Sequence, residues 1–194
     1  MDFNQVLKIR RSCRKFSDAQ ITKAELDEIL LAGHNSPVGS NLYRDVHITV
    51  VQDKHVLESL CAANNRRLQD RVTFKKLTEE IDSEKDTPAT APFYGAPAVI
   101  IVSHRKQDLQ PGIEYANVTS IVQTMHLAAT NIGLGSVYVW GILEAMRLFP
   151  ELDNSALLGL PDGFSPLMGL MVGYPVKPPP ERELKKDKIA VNYI

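Results

Sequence analysis

Residues 116–143, ANVTSIVQTMHLAATNIGLGSVYVWGIL, contain no Asp, Glu, Lys or Arg. The stretch divides in two. From Glu114 to Ile132, the apolar residues Val118, Ile121, Val122, Met125, Ala129 and Ile132 recur at helical spacing and predict a buried helix. Ser136–Trp140 (SVYVW) is β-branched and aromatic, and predicts a strand. Gly133 stands between them, where a helix C-terminus takes a left-handed residue. A membrane-spanning helix needs about 20 predominantly apolar residues. Asn117, Gln123, His126, Asn131, Gly133 and Gly135 interrupt this stretch, so it reads as protein interior. An uncharged stretch of this length is hard to cover within a two-layer domain, and a second copy of the chain would cover it.

Working outward, Pro97–Ser103 (PAVIIVS) is a continuous apolar run that predicts a central strand buried on both faces. Val46–Val51 (VHITVV) and Leu167–Gly173 (LMGLMVG) predict two more strands. Phe3–Ile9 predicts a short helix. Thr22 and Glu25 form a capping box that opens another, with Leu26, Ile29 and Leu30 on its apolar face and its end near Gly33–Asn35. Residues 54–84 read as a polar helical region, Asp86–Pro92 as a loop, Leu143–Phe149 as a short helix and Ser155–Leu158 as a turn. Ile189–Ile194 (IAVNYI) is apolar enough to add a strand from the tail. Strands separated by helices imply layers of helix and sheet.

Composition bounds the possibilities. The chain has 194 residues, 44% apolar and 23% charged, which fits one globular domain, residues 1–194. Its formal charge is −1, so a generally basic nucleic-acid binder is disfavoured. Cys13 and Cys61 make neither a disulfide framework nor a metal motif. MDFNQVLKIRRSCRKF has no apolar signal region, which predicts a cytoplasmic protein. His34, His47, His55, His104 and His126 are scattered without metal-ligand spacing, so no metal site is expected. His126, on a buried helix, reads as a satisfied core histidine.

Four motifs could carry chemistry. Arg10-Arg11-Ser12-Cys13-Arg14-Lys15-Phe16 concentrates cations in a nearly neutral chain and suits a phosphate, although a solvated basic turn has the same composition. Arginines around Cys13 would lower its thiol pKa. Ser36-Pro37-Val38-Gly39-Ser40-Asn41 would let backbone approach a planar ligand, or is simply a turn. Gly133-Leu134-Gly135-Ser136 fails as a dinucleotide fingerprint, because it runs from helix to strand and lacks a third glycine at the required offset. Gly173–Arg182 (GYPVKPPPER) is stiff and could return Lys177 and Arg182 to an anion, or is a solvated tail.

In this order and at these distances, RRSCRKF, SPVGSN, FYGAPAVIIV, AATNIGLGS and GYPVKPPPER resemble the FMN-dependent nitroreductase family over nearly the whole chain. The resemblance implies an α+β fold with a mixed central sheet flanked by helices. It also implies a homodimer with exchanged terminal segments and FMN in each of two interface clefts. On this reading Arg10, Arg11 and Ser12 hold the phosphate and ribityl chain, and Arg14 lies near the flavin N1 and O2 edge. Pro37, Val38, Gly39 and Asn41 come from the other subunit. Tyr138, Val139, Trp140 and Gly141 run along the ring, and Arg182 and Lys177 complete the phosphate site.

The function implied is two-step reduction of an electron-poor small molecule, such as a nitroaromatic or quinone, with NADH or NADPH as donor. Reductive dehalogenation, flavin modification and a non-catalytic FMN sensor or carrier are alternatives on the same fold. Two departures bear on the substrate. Leu42-Tyr43-Arg44-Asp45 replaces a Gln-Pro-Trp run common in relatives, and Trp140 stands near where some relatives have Glu.

Overall fold

The apolar run after Pro97 becomes a strand, Ala98–Arg105, in which every residue but the last is buried. Period-two alternation sorts its side chains onto two faces. Val99 and Ile101 enter one core, with Leu57, Leu60, Ile142 and Met146. Ala98, Ile100 and Val102 enter the other, with Ile29, Val118, Val122 and Met125. Helical layers therefore cover both faces, as the sequence predicts.

The computed structural model describes residues 1–61, 92–148 and 150–194. Among these the helices are α1 (Phe3–Ile9), α2 (Lys23–His34), α3 (Ile113–Asn131) and α4 (Gly141–Leu148). The strands are β1 (Val46–Val51), β2 (Ala98–Arg105), β3 (Gly135–Val139) and β4 (Phe164–Gly173). Residues 54–61 are helical; the rest of the expected polar helical region, and the loop from Asp86 as far as Ala91, lie outside the described residues. Strand order is β1-β2-β4-β3, with antiparallel ladders throughout. An isolated parallel bridge from Ser12 to Ser136 adds the N-terminal segment beside β3 and makes the sheet mixed.

Local rules set the element ends. Thr22 and Glu25 form the reciprocal capping box at α2. The α3 helix closes in a Schellman motif: Leu134 N donates to Ala129 O at 2.9 Å and Gly133 N to Thr130 O at 3.1 Å, with Gly133 at φ 83°. Helix termination thus accounts for Gly133. β4 starts earlier than its apolar pattern suggests, because the strand accommodates Pro166. The register shifts beside Ser103, leaving Leu167 without an opposite residue, and a bulge tolerates the missing proline N–H. Ile189–Ile194 forms no strand within this chain and lies exposed. A strand needs an edge to pair with, and this segment meets none here.

Gly135 sits where three segments crowd together. A Cβ built on it would lie 2.7 Å from Cys13 Sγ and 3.3 Å from Pro175 Cβ. The missing side chain lets the N-terminal segment and the tail press onto β3. Gly135→Ala should destabilise the protein by roughly 1–3 kcal/mol, the cost of overpacking. Thermal unfolding measures it, and an unchanged midpoint would show that the contact relaxes freely.

Candidate functional site

The basic motif leaves α1 at Arg10 and continues as extended backbone between β3 and the tail. Cys13 N donates to Ser136 O at 3.0 Å, Ser17 N to Tyr174 O at 2.9 Å and Val176 N to Lys15 O at 3.1 Å. Arg182 N donates to Lys8 O at 3.1 Å. Both ends of the polypeptide therefore meet along one line. Beside it opens a cleft of about 610 Å³ lined by Arg11, Ser12, Arg14 and Lys177, with Thr130 and Pro179.

The arginines divide between two environments. Arg11 and Arg14 are exposed and face the cleft. Arg10 is half-buried, and its guanidinium donates from Nη1 to His126 Nε2 at 3.2 Å. Its pKa is lowered, first by burial and then by the nearby charges of Arg182 and Arg11. Arg182 donates from Nη2 to Leu7 O at 3.3 Å, while its Nε is buried without a partner among the described residues. Among those residues no carboxylate forms an ion pair with Arg10, Arg11, Arg14, Lys177 or Arg182. Crowded cations and an orphaned N–H suit an anion.

Cys13 lines the cleft, but its thiol pKa is raised rather than lowered. Burial raises it and outweighs the lowering by the contact with the Lys15 backbone, so Cys13 is not an activated thiol.

His126 is the buried neighbour. Arginine has no acceptor, so His126 Nε2 accepts and Nδ1 carries the proton. Nδ1 then donates to Ser136 Oγ at 2.5 Å. Burial and the Arg10 charge push the His126 pKa down to about 4. Its ring lies 5.6 Å from that of Tyr138, whose hydroxyl donates to Gln123 Oε1 at 2.5 Å.

Tyr138 and Val139 end β3, and Trp140 and Gly141 lead into α4. Trp140 is exposed and its ring lies 6.0 Å from that of Tyr115. Pro37, Val38, Gly39 and Asn41 are elsewhere. Gly39 N donates to Asn117 Oδ1 at 2.7 Å, near the start of α3. The separation from Thr130 along the helix is about 20 Å, at roughly 1.5 Å per residue. One chain does not bring this loop to the basic cleft. The loop is nonetheless well held. His104 Nδ1 donates to Arg105 O at 2.6 Å, so its Nε2 accepts from Asn117 Nδ2 at 3.1 Å, leaving Asn117 Oδ1 for Gly39. Ser40 and Asn41 take positive φ values of 55° and 57°.

Residues 7–174 match the model of the nitroreductase family. The chain belongs to that family. A solved nitroreductase with bound FMN from Bacteroides fragilis is 25% identical, with a TM-score of 0.72 over 100% of both chains. Another with bound FMN, from Desulfitobacterium hafniense, is 24% identical, with a TM-score of 0.77 over 98% of this chain and 97% of that one. A protein of Methanothermobacter thermautotrophicus named "Putative NADH dehydrogenase/NAD(P)H nitroreductase" is 25% identical, covering 95% of this chain and 83% of its own length. No described helix is long and apolar enough to cross a membrane. No group of metal-ligating side chains occurs among the described residues.

His126 gives a pH dependence. Its folded pKa lies below the unfolded value, so the unfolded chain takes up this proton first as pH falls. The stability it contributes is complete above the unfolded value, about 6.5, and is lost on descending towards about 4. The loss should be of the order of 3 kcal/mol over that range. Denaturant unfolding at stepped pH measures it, and His126→Gln should flatten that part of the profile.

Proposed function

We propose that this nitroreductase-family protein is an FMN-dependent oxidoreductase of one domain, residues 1–194. It takes electrons from NADH or NADPH and delivers them to an electron-poor small molecule such as a nitroaromatic or a quinone. One observation carries the reading: Arg10 and Arg182 converge from opposite ends of the chain, and Arg182 Nε is buried and unpartnered among the described residues. A phosphate monoester, with about −1.5 to −2 charges and three acceptor oxygens, would suit these cations, which stand beside the cleft that Arg11, Ser12, Arg14 and Lys177 line.

Arg10 and Arg182 would hold the phosphate, with Arg11, Ser12 and Lys177 around it and the ribityl chain. FMN supplies hydride acceptance and donation at its ring N5. Arg14 would set a fixed cation beside the ring's N1 and O2 edge. In bulk water, two charges 4 Å apart gain only about 1 kcal/mol, and a site that excludes water raises this. Tyr138 and Val139 end β3, and Trp140 and Gly141 follow it into α4; their backbone N–H groups would run along the ring near its N5. The mechanism needs no protein nucleophile, and solvent can supply the proton.

The loop of Pro37, Val38, Gly39 and Asn41 stands too far along α3 to share the cleft within one chain. A two-fold pair of copies would bring one copy's loop to the other's cleft. The exposed apolar tail, with Ile189 at 80% and Tyr193 at 91%, supports such a pair.

The purified protein should be yellow with FMN, and NADH or NADPH should bleach it anaerobically. A protein still colourless after soaking in FMN contradicts the reading; a yellow one that neither nucleotide bleaches favours a flavin carrier. Arg182→Ala should weaken FMN affinity by about 1.5–3 kcal/mol, the value of a hydrogen bond to a charged group. Sedimentation should give twice the 21.6 kDa chain mass, and a monomer at micromolar concentration would count against the shared cleft.

A further inference from the structure

We infer that His126 is a positioning residue for the anion site: it holds the Arg10 guanidinium in place through Nε2, and Ser136 holds His126 through Nδ1. The inference rests on the reading of Arg10 as a phosphate ligand.

Arg10 sits where α1 ends, at φ −56° and ψ 119°. Beyond that point the helix no longer constrains a long, freely rotating side chain. The nearby charge of Arg182 repels it. Without an acceptor, the guanidinium would swing towards solvent and away from Arg182. His126 supplies that acceptor at 3.2 Å. The contact uses one of five N–H donors and leaves the others for an anion.

The chemistry of the acceptor matters. A carboxylate in the same place would hold Arg10 more strongly, but it would neutralise the charge the anion needs. A neutral imidazole orients the guanidinium and keeps the positive potential. This works only in the tautomer with Nε2 bare, which Arg10 requires because it can only donate; Ser136 Oγ completes the arrangement by accepting from Nδ1 at 2.5 Å. His126 and Ser136 are 3% and 1% exposed, so solvent does not compete for either contact. Ser136 acts twice. Its carbonyl receives Cys13 N at 3.0 Å, fixing the backbone of the basic segment, and its hydroxyl fixes the histidine that orients Arg10.

Two measurements on the full-length protein test this. Nitrogen-15 NMR of the wild type should show His126 protonated at Nδ1 and bare at Nε2; the opposite tautomer overturns the inference. Equilibrium titrations with FMN and with riboflavin, which lacks the phosphate, isolate the phosphate contribution. His126→Leu should weaken FMN binding about 10-fold and leave riboflavin within about two-fold, as expected for loss of one aligned charged hydrogen bond. His126→Gln, which can accept from Arg10 and donate to Ser136, should restore most of the FMN affinity. Adding His126→Leu to Arg10→Ala should cost nothing further, because the two act through one contact. An equal loss for both ligands, or additive losses, would make His126 a structural residue only. If His126→Leu fails to fold, the tautomer and the FMN-to-riboflavin ratio of His126→Gln decide the question: a wild-type ratio supports the inference and a collapsed ratio overturns it. A wild type that does not prefer FMN to riboflavin overturns the phosphate reading of Arg10 as well. A wild type that does prefer it, beside an unaffected His126→Leu, overturns the role of His126 alone.

Discussion

Main-chain hydrogen bonds hold a cation-rich segment where its own charges oppose it. Residues 12–17 are clamped between β3 and residues 174–176, and Arg182 is tied to Lys8. Arg10, just before this segment, lies near the charges of Arg182 and Arg11, and its lowered pKa records first its burial and then that repulsion. Amide-to-carbonyl bonds are indifferent to the side-chain charge. The backbone can therefore keep guanidinium groups together that would separate in a flexible loop. Gly135 makes the clamp possible by leaving room for Cys13 against β3. A bound anion would then relieve an existing repulsion instead of ordering a loose chain, and much of the ordering cost of binding is met on folding.

The α3 helix sets the scale of the site. Two polar relays leave it at different heights, and each uses a histidine that donates from one ring nitrogen and accepts at the other. His126 joins α3 to Ser136 and Arg10. His104, on β2, joins Asn117 of α3 to the Arg105 carbonyl and leaves Asn117 to hold Gly39. The first relay serves the basic segment and the second the loop of Pro37 to Asn41. Such buried polar groups are costly if unsatisfied. Here their partners are specific atoms of the two segments that must be placed, so satisfying the helix positions the site.

Much of this is legible in the residues. Thr22 and Glu25 announce α2, the run after Pro97 announces β2, and Gly133 marks the end of α3; each signal is local. The ordered motifs point to the family, which the match over residues 7–174 shows. Contacts between distant residues are not legible. Nothing near Arg10 in sequence distinguishes it from Arg11, yet Arg10 turns to His126 and Arg11 to the cleft. Reading His126 as a satisfied core histidine is correct about its burial but silent on its partner, a guanidinium 116 residues away. The Cys13 thiol departs from expectation because adjacent arginines are visible in sequence and burial is not. Pro166 masks the start of β4, since the bulge beside Ser103 that accommodates it is a property of two strands together.

The tail shows where a single chain stops determining its own structure. Ile189, Val191 and Tyr193 alternate with Ala190 and Asn192, the period of a half-buried strand. All three are exposed, and the segment has no ladder. Burying a side chain of this size stabilises by about 1.5–3 kcal/mol, and this chain collects none of it from them. On α3, Ala116, Thr119 and Gln123 are exposed and uncharged, although a solvated helix face would ordinarily carry Lys or Glu. A face depleted of charge is what the core of a protein interface requires. A strand pattern without an edge and a helix face without charge are complementary deficits. On the proposed reading, a second copy of the same chain would be the surface that covers both.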